Sequence, residues 1–136
     1  MHEIIPTVGV ILVRENRVLL VRKKNHPRQA YQLPGGQIES GETLEDAAIR
    51  ELYETTGLTA DATQLTVLPN EWHAVIEKSY GTKDFNFKCV LCRAYEGDIT
   101  ETESAAPSWV ERSEMQELEL APNTQEAVDV AVGLLT

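Results

Sequence analysis

Carboxylates and glycines cluster in one stretch of this chain at a spacing that could do chemistry. Gly36-Gln-Ile-Glu-Ser-Gly-Glu42 is followed after seven residues by Arg50-Glu51-Leu52-Tyr53-Glu54 and closes at Gly57-Leu58. On a helix, residues three and four apart are neighbours, so Glu51, Glu54 and position 55 project from one sector. Two carboxylates about 5 Å apart repel by roughly 3 kcal/mol at an effective dielectric near 20, and a cation between them reverses the sign. Oxygen donors without accompanying His or Cys suit a hard ion, Mg²⁺ or Mn²⁺, better than zinc. Arg50 offsets part of the charge, and its place next to Glu51 directs it toward a more distant carboxylate such as Glu42. The plainer alternative is an acidic helix face solvated by water, with Asp and Glu enriched near its start.

These groups need a helix and a loop to hold them, and both are signalled locally. Thr43 and Asp46 form a capping-box pattern, Leu44, Ala47, Ala48 and Leu52 continue the apolar face, and Gly57 ends it. Upstream, Thr7 to Arg14 and Arg17 to Lys23 read as a β-hairpin with Asn16 supplying the turn. A polar loop over residues 24–29 leads to the short run Tyr31-Gln-Leu33, which Pro34-Gly35-Gly36 stops. Downstream, Gln64 to Leu68, Trp72 to Lys78 and Phe85 to Tyr95 read as strands, with Tyr80-Gly-Thr as a turn. Pro107 to Glu111 is a further strand, Ser113 to Leu118 a helical turn, and Thr124 the cap of an apolar C-terminal helix. Strands, helix, strands, helix in that order predict an α/β (α+β) fold, a central sheet with helices on both faces.

A chain of 136 residues with net charge −10, 42% apolar and 25% charged, reads as one globular domain over residues 1–136. The apolar run Val8 to Val13 is far shorter than the roughly 20 residues of a bilayer span, and Met1-His2-Glu3 lacks a basic leader start, so the expectation is a cytoplasmic protein with no membrane partner. The acidic surface argues against a nucleic-acid polymer as partner. Residues 1–28 nonetheless hold six bases, Arg14, Arg17, Arg22, Lys23, Lys24 and Arg28, against Glu3 and Glu15, a strip that could draw in a small anion. Cys89 and Cys92 spell CxxC, but residues three apart on a strand point to opposite faces and no second Cys or His pair completes a zinc site. Both are expected to be structural.

The glycine-to-glycine segment resembles the box of the Nudix hydrolase family, Gx5Ex7REUxEExGU with U aliphatic. Gly36, Glu42, Arg50, Glu51, Leu52, Glu54, Gly57 and Leu58 match eight of nine specified positions. Leu33-Pro34-Gly35, the N-terminal strands and Trp109-Val110-Glu111 extend the likeness over nearly the whole chain. One position departs: Thr55 stands where the family pattern has the second Glu of its EE pair.

The resemblance implies an α/β/α sandwich around a central mixed sheet, and Mg²⁺-dependent hydrolysis (Mn²⁺ as substitute) of a nucleoside diphosphate linked to another group. It makes Glu51, Glu54 and the Gly35 carbonyl metal ligands, with Arg50 and Glu42 orienting them and Glu51 alternatively a base. Glu103 is the expected further carboxylate, ahead of Glu101; Glu71, Glu77 and His73 are weaker base candidates. Arg22, Tyr31, Gly36, Glu42 and Phe87 are expected at the substrate. Chain length favours a small nucleoside triphosphate, with ADP-ribose or a nucleotide sugar next, or a nucleotide-binding module that does not cleave. A homodimer is left open. The missing charge at Thr55 implies a weaker hold on the metal, so that Thr55→Glu should lower the Mg²⁺ requirement.

Overall fold

The computed structural model describes residues 4–24, 30–78 and 81–135, without the side chains of 76–78. Among the described residues, eight strands and two α-helices follow in the order β1 (Ile4–Ile11), β2 (Val13–Arg14), β3 (Arg17–Lys23), β4 (Tyr31–Gln32), β5 (Gly35–Gln37), α1 (Leu44–Thr56), β6 (Leu65–Lys78), β7 (Gly81–Cys92), β8 (Ala105–Glu111) and α2 (Thr124–Leu134). Short 3₁₀ turns at Ala62–Gln64 and Arg112–Glu117 complete them. The loop expected at residues 24–29 lies, beyond Lys24, outside the described residues, as does Tyr80 of the expected turn.

The strands form two four-stranded sheets. One runs β5-β1-β7-β6 and is mixed, because β1 and β7 are parallel while the other pairs are antiparallel. In the other, β3 pairs antiparallel with β8 along its full length and with β2 and β4 on its remaining edge. The expected hairpin is therefore confined to Val13-Arg14 against Arg17-Val18. Chain leaving β1 passes Leu12 and changes sheets, and the residue with positive φ in the turn is Glu15 (59°), not Asn16. Residues 65–78 form one strand with a bulge between Val67 and Glu71, where two separate strands were expected.

Strand alternation sends side chains to opposite helices. Val8, Val10 and Leu12 join Leu19, Val90 and Cys92 in packing against Ala47, Ala48 and Leu52 of α1. Ile11, Cys89 and Leu91 face Ala127 and Ala131 of α2, while Val18, Leu20 and Met115 meet Val128. Each fully buried Leu, Ile or Val contributes about 1.5–3 kcal/mol of transfer free energy, and their division between two faces makes the molecule an α/β/α sandwich. Cys89 and Cys92 lie on opposite faces, both buried, and burial pushes the Cys89 thiol up to about 12. No described helix is long and apolar enough to cross a membrane.

Helix α1 has the ends its sequence specifies. Thr43 Oγ1 accepts the Asp46 N–H at 3.0 Å, and Gly57 caps the other end at φ 82°, its N–H bonded to the Tyr53 carbonyl. At α2 the cap differs from expectation. Asn123, at φ 69°, is the N-cap and makes no side-chain cap bond, while Thr124 is the first helical residue and is buried.

Candidate active site

Arg50 organises the acidic helix by spending its nitrogens on separate partners. Nε donates to Glu42 Oε2 at 2.7 Å and Nη2 to Glu42 Oε1 at 2.9 Å, a bidentate clasp. Nη1 donates to Glu51 Oε1 at 2.9 Å and Glu54 Oε2 at 3.2 Å, and Nη2 also reaches the Gln37 carbonyl at 3.0 Å. One guanidinium thus fixes the end of β5, the loop before α1 and two helix carboxylates. The expectation that Arg50 would point away from Glu51 is corrected: its long side chain folds back alongside the helix and reaches the neighbouring carboxylate. The Arg50 guanidinium and the Glu39 backbone N–H together hold the Glu42 carboxyl down at about 2.

Glu51 is buried at 8% exposure, while the Glu54 side chain is half exposed. Burial raises the Glu51 carboxyl above the usual range, opposed by Lys23 and Arg50. The carboxylate lies against the backbone of β5, since a Cβ added to Gly36 would collide with Glu51 Oε2. A Cβ on Gly35 would strike the Val8 carbonyl of β1. The adjacent strand by itself therefore requires glycine at this position.

Lys23 Nζ donates to the Gly35 carbonyl at 2.5 Å, and the charges of Glu51 and Glu54 act on the same amine. Sequence reasoning left Lys23 among six bases and selected Arg22. Alternation along β3 sends Lys23 to the α1 face with Leu19, whereas Arg22 follows Val18 and Leu20 toward α2. There its guanidinium stacks over the Tyr31 ring at 5.4 Å. Phe87 shares strand parity with Cys89 and Leu91, which also face α2, and its ring lies 6.2 Å from that of Phe85. The structure therefore joins Gly35, Gly36, Glu42, Arg50, Glu51 and Glu54 into one site, and sets Arg22, Tyr31 and Phe87 on the opposite face of the sandwich.

The segment leading into β8 docks on the C-terminal end of α1. Ser104 Oγ donates to the Glu54 carbonyl at 2.9 Å and the Thr100 N–H to the Thr56 carbonyl at 2.9 Å, satisfying helix-end acceptors. Glu103 is exposed beside Ser104, and Glu101 is paired with Lys24 Nζ at 2.8 Å. Among the described residues no three His, Cys, Asp or Glu side chains form a metal-holding group, so Glu103 is not gathered with Glu51 and Glu54. Glu71 pairs with Lys88 at 3.2 Å and His73 stands 3.7 Å from Asp84. The Glu77 side chain lies outside those described.

Thr55 is 2% exposed, and its hydroxyl donates to the Glu51 carbonyl at 2.7 Å. Position 55 is thus enclosed. Thr55→Glu is expected to destabilise the metal-free protein by on the order of 3 kcal/mol, through a buried carboxylate. Mg²⁺ should then raise its melting temperature more than it raises that of the parent. Calorimetry with and without Mg²⁺ checks both points, and equal metal-induced shifts would show that position 55 gives the metal nothing.

The raised Glu51 and lowered Glu42 carboxyls also set opposite pH trends. Folded protein holds the Glu51 proton more tightly than the unfolded chain, so stability from this group is full below about 4.5 and declines as pH rises through its folded-state ionisation. Glu42 contributes above about 4.5, and its contribution is lost as pH falls toward about 2. Melting of the metal-free protein should therefore be highest under mildly acidic conditions. In Glu51→Gln the decline on the neutral side should be smaller, which a melting series from about pH 3 to about pH 8 measures.

The site's donors are a backbone carbonyl and two carboxylates, one of them buried beside a β-strand that a side chain would block. This oxygen set fits a small hard cation that completes its shell with water and phosphate oxygen. A model of the NUDIX domain matches residues 4–130, and the chain belongs to the Nudix family. An ADP-ribose pyrophosphatase of Methanocaldococcus jannaschii is 46% identical over 56 residues, covering 39% of this chain and 33% of that protein. An RNA pyrophosphohydrolase of Cereibacter sphaeroides is 35% identical over 68 residues, covering 49% and 42%. The matched segments thus span less than half of these relatives' own length. In fold, the MutT Nudix hydrolase of Burkholderia pseudomallei superposes with TM-score 0.74 at 24% identity, covering 99% of this chain and 100% of that one.

Proposed function

We propose that this protein is a divalent-metal-dependent pyrophosphohydrolase that cleaves a nucleoside diphosphate joined to another group, with small nucleoside triphosphates as its preferred class. The observation that supports the reading is the Arg50 clasp, which holds Glu51 and Glu54 on one guanidinium with the Glu51 carboxylate against Gly36 of β5. Mg²⁺, or Mn²⁺ in its place, would be held by Gly35, Glu51 and Glu54, with Glu103, exposed on the loop ahead of β8, as the proposed further carboxylate. When bound it neutralises the diphosphate and makes attack by water easier.

The chain's own groups supply position. Arg50 fixes the rotamers of Glu51 and Glu54, so that little reorganisation is needed when the anion arrives. Glu42 keeps the guanidinium in register through two parallel bonds. In the alternative assignment Glu51 takes a proton from water and leaves the metal to Glu54 and the Gly35 carbonyl. An ADP-ribose substrate is the second reading, favoured by the M. jannaschii relative.

Phosphate and pyrophosphate release from nucleoside triphosphates, ADP-ribose, nucleotide sugars and a 5′-triphosphorylated RNA, each with Mg²⁺ and Mn²⁺, tests the proposal. Turnover of triphosphates above the others is expected. Tight binding without turnover across the panel would replace the enzyme with a nucleotide-binding module, and preferential turnover of the RNA would overturn the small-molecule assignment.

A further inference from the structure

Lys23 holds a place that the metal reading assigns to a cation. Its Nζ donates to the Gly35 carbonyl at 2.5 Å, on the α1 side where Arg50 gathers Glu51 and Glu54. These three groups are the donors proposed for the divalent ion. The side chain arrives there because β3 ends on the α1 face at residue 23, after Leu19 has packed on that same helix. Lys23 itself pairs with Ala105 of β8, so the base of the side chain is fixed while four flexible methylenes carry the ammonium.

We propose that Lys23 is a tethered counter-ion: its ammonium fills the cation position of the metal-free protein, and a divalent ion must displace it from the Gly35 carbonyl to bind. The inference rests on reading the site as a metal centre. Two positive groups cannot share one carbonyl lone pair and the same carboxylates, because their repulsion at such separations exceeds the thermal energy several-fold at an effective dielectric near 20. Lys23 therefore keeps the acidic site assembled before metal arrives, and it raises the metal concentration required.

Mn²⁺ binding to the full chain, measured by electron paramagnetic resonance and by calorimetry, compares the parent with Lys23→Met and Lys23→Arg. Lys23→Met should bind Mn²⁺ about tenfold more tightly and melt at a lower temperature without metal, while Lys23→Arg stays within about threefold of the parent. Unchanged or weaker binding by Lys23→Met, with the parent still binding, overturns the counter-ion and leaves the metal site standing. Absence of Mn²⁺ binding in all three removes both. The unaltered protein supplies an independent readout: the Lys23 ¹³Cε resonance should shift as Mg²⁺ saturates the site. A resonance that stays in place while metal binds would overturn the inference whatever the variants do.

Discussion

Glu51→Gln and Glu54→Gln should each lower hydrolysis by about a thousandfold, equivalent to about 4 kcal/mol of activation free energy, while the protein remains folded. Both changes keep the shape of the side chain and remove a charge that the proposed metal needs. Their structural consequences differ. Glu51 is buried at 8% exposure and carries a desolvation penalty, so its neutral amide should leave the metal-free melting temperature equal or higher. Glu54 is half exposed, and its bond to Arg50 is a helix-surface pair of small value, so its loss should barely register in stability. Steady-state hydrolysis beside thermal melting separates the two quantities. Residual turnover within about tenfold of the parent in both variants would mean that these carboxylates do not hold the catalytic metal.

The adjacent glycines should fail in opposite ways. At Gly35 an added methyl meets the Val8 carbonyl, a backbone atom within the β1–β5 pairing that cannot step aside without parting the strands. Gly35→Ala is expected to cost about 3 kcal/mol or more, or to prevent folding. At Gly36 the methyl meets the Glu51 carboxylate, the far end of a flexible side chain. Gly36→Ala should therefore cost only about 1 kcal/mol in stability but reduce kcat about a hundredfold, because the carboxylate is moved from its place. Denaturant titration and initial rates on purified variants check the contrast. A catalytically intact Gly36→Ala would show that the position of Glu51 tolerates displacement.

What the sequence makes legible here is what short-range geometry decides. Thr43, Asp46 and Gly57 mark the ends of α1 because caps are made with residues three or four away. The expected ladder of carboxylates on that helix is likewise local, and the family box carries it. Placement across the sheet is another matter. In β3 the four residues Val18 to Val21 are all buried, since both faces are covered, so no alternation of apolar and polar residues reveals which way the next side chain points. Arg22 and Lys23 were indistinguishable on that ground, and only the packed structure shows that it is Lys23 that meets the Gly35 carbonyl. The passage from β1 to β2 has the same origin: an apolar run read as a single strand divides at Leu12 between two sheets, a decision made by tertiary pairing. Thr55 offered a visible departure from the family pattern, but its burial and its bond to the Glu51 carbonyl depend on what surrounds the helix.

The two thiols on β7 sit back to back, one shielded by each helix. Because only a sulfur that has come into contact with solvent reacts readily with an alkylating reagent, Cys89 and Cys92 are built-in clocks for two separate breathing motions: one keeps time for the lifting of α2, the other for the lifting of the helix that carries the acidic ladder. The fold thus brings its own means of telling whether its two halves open together or one at a time.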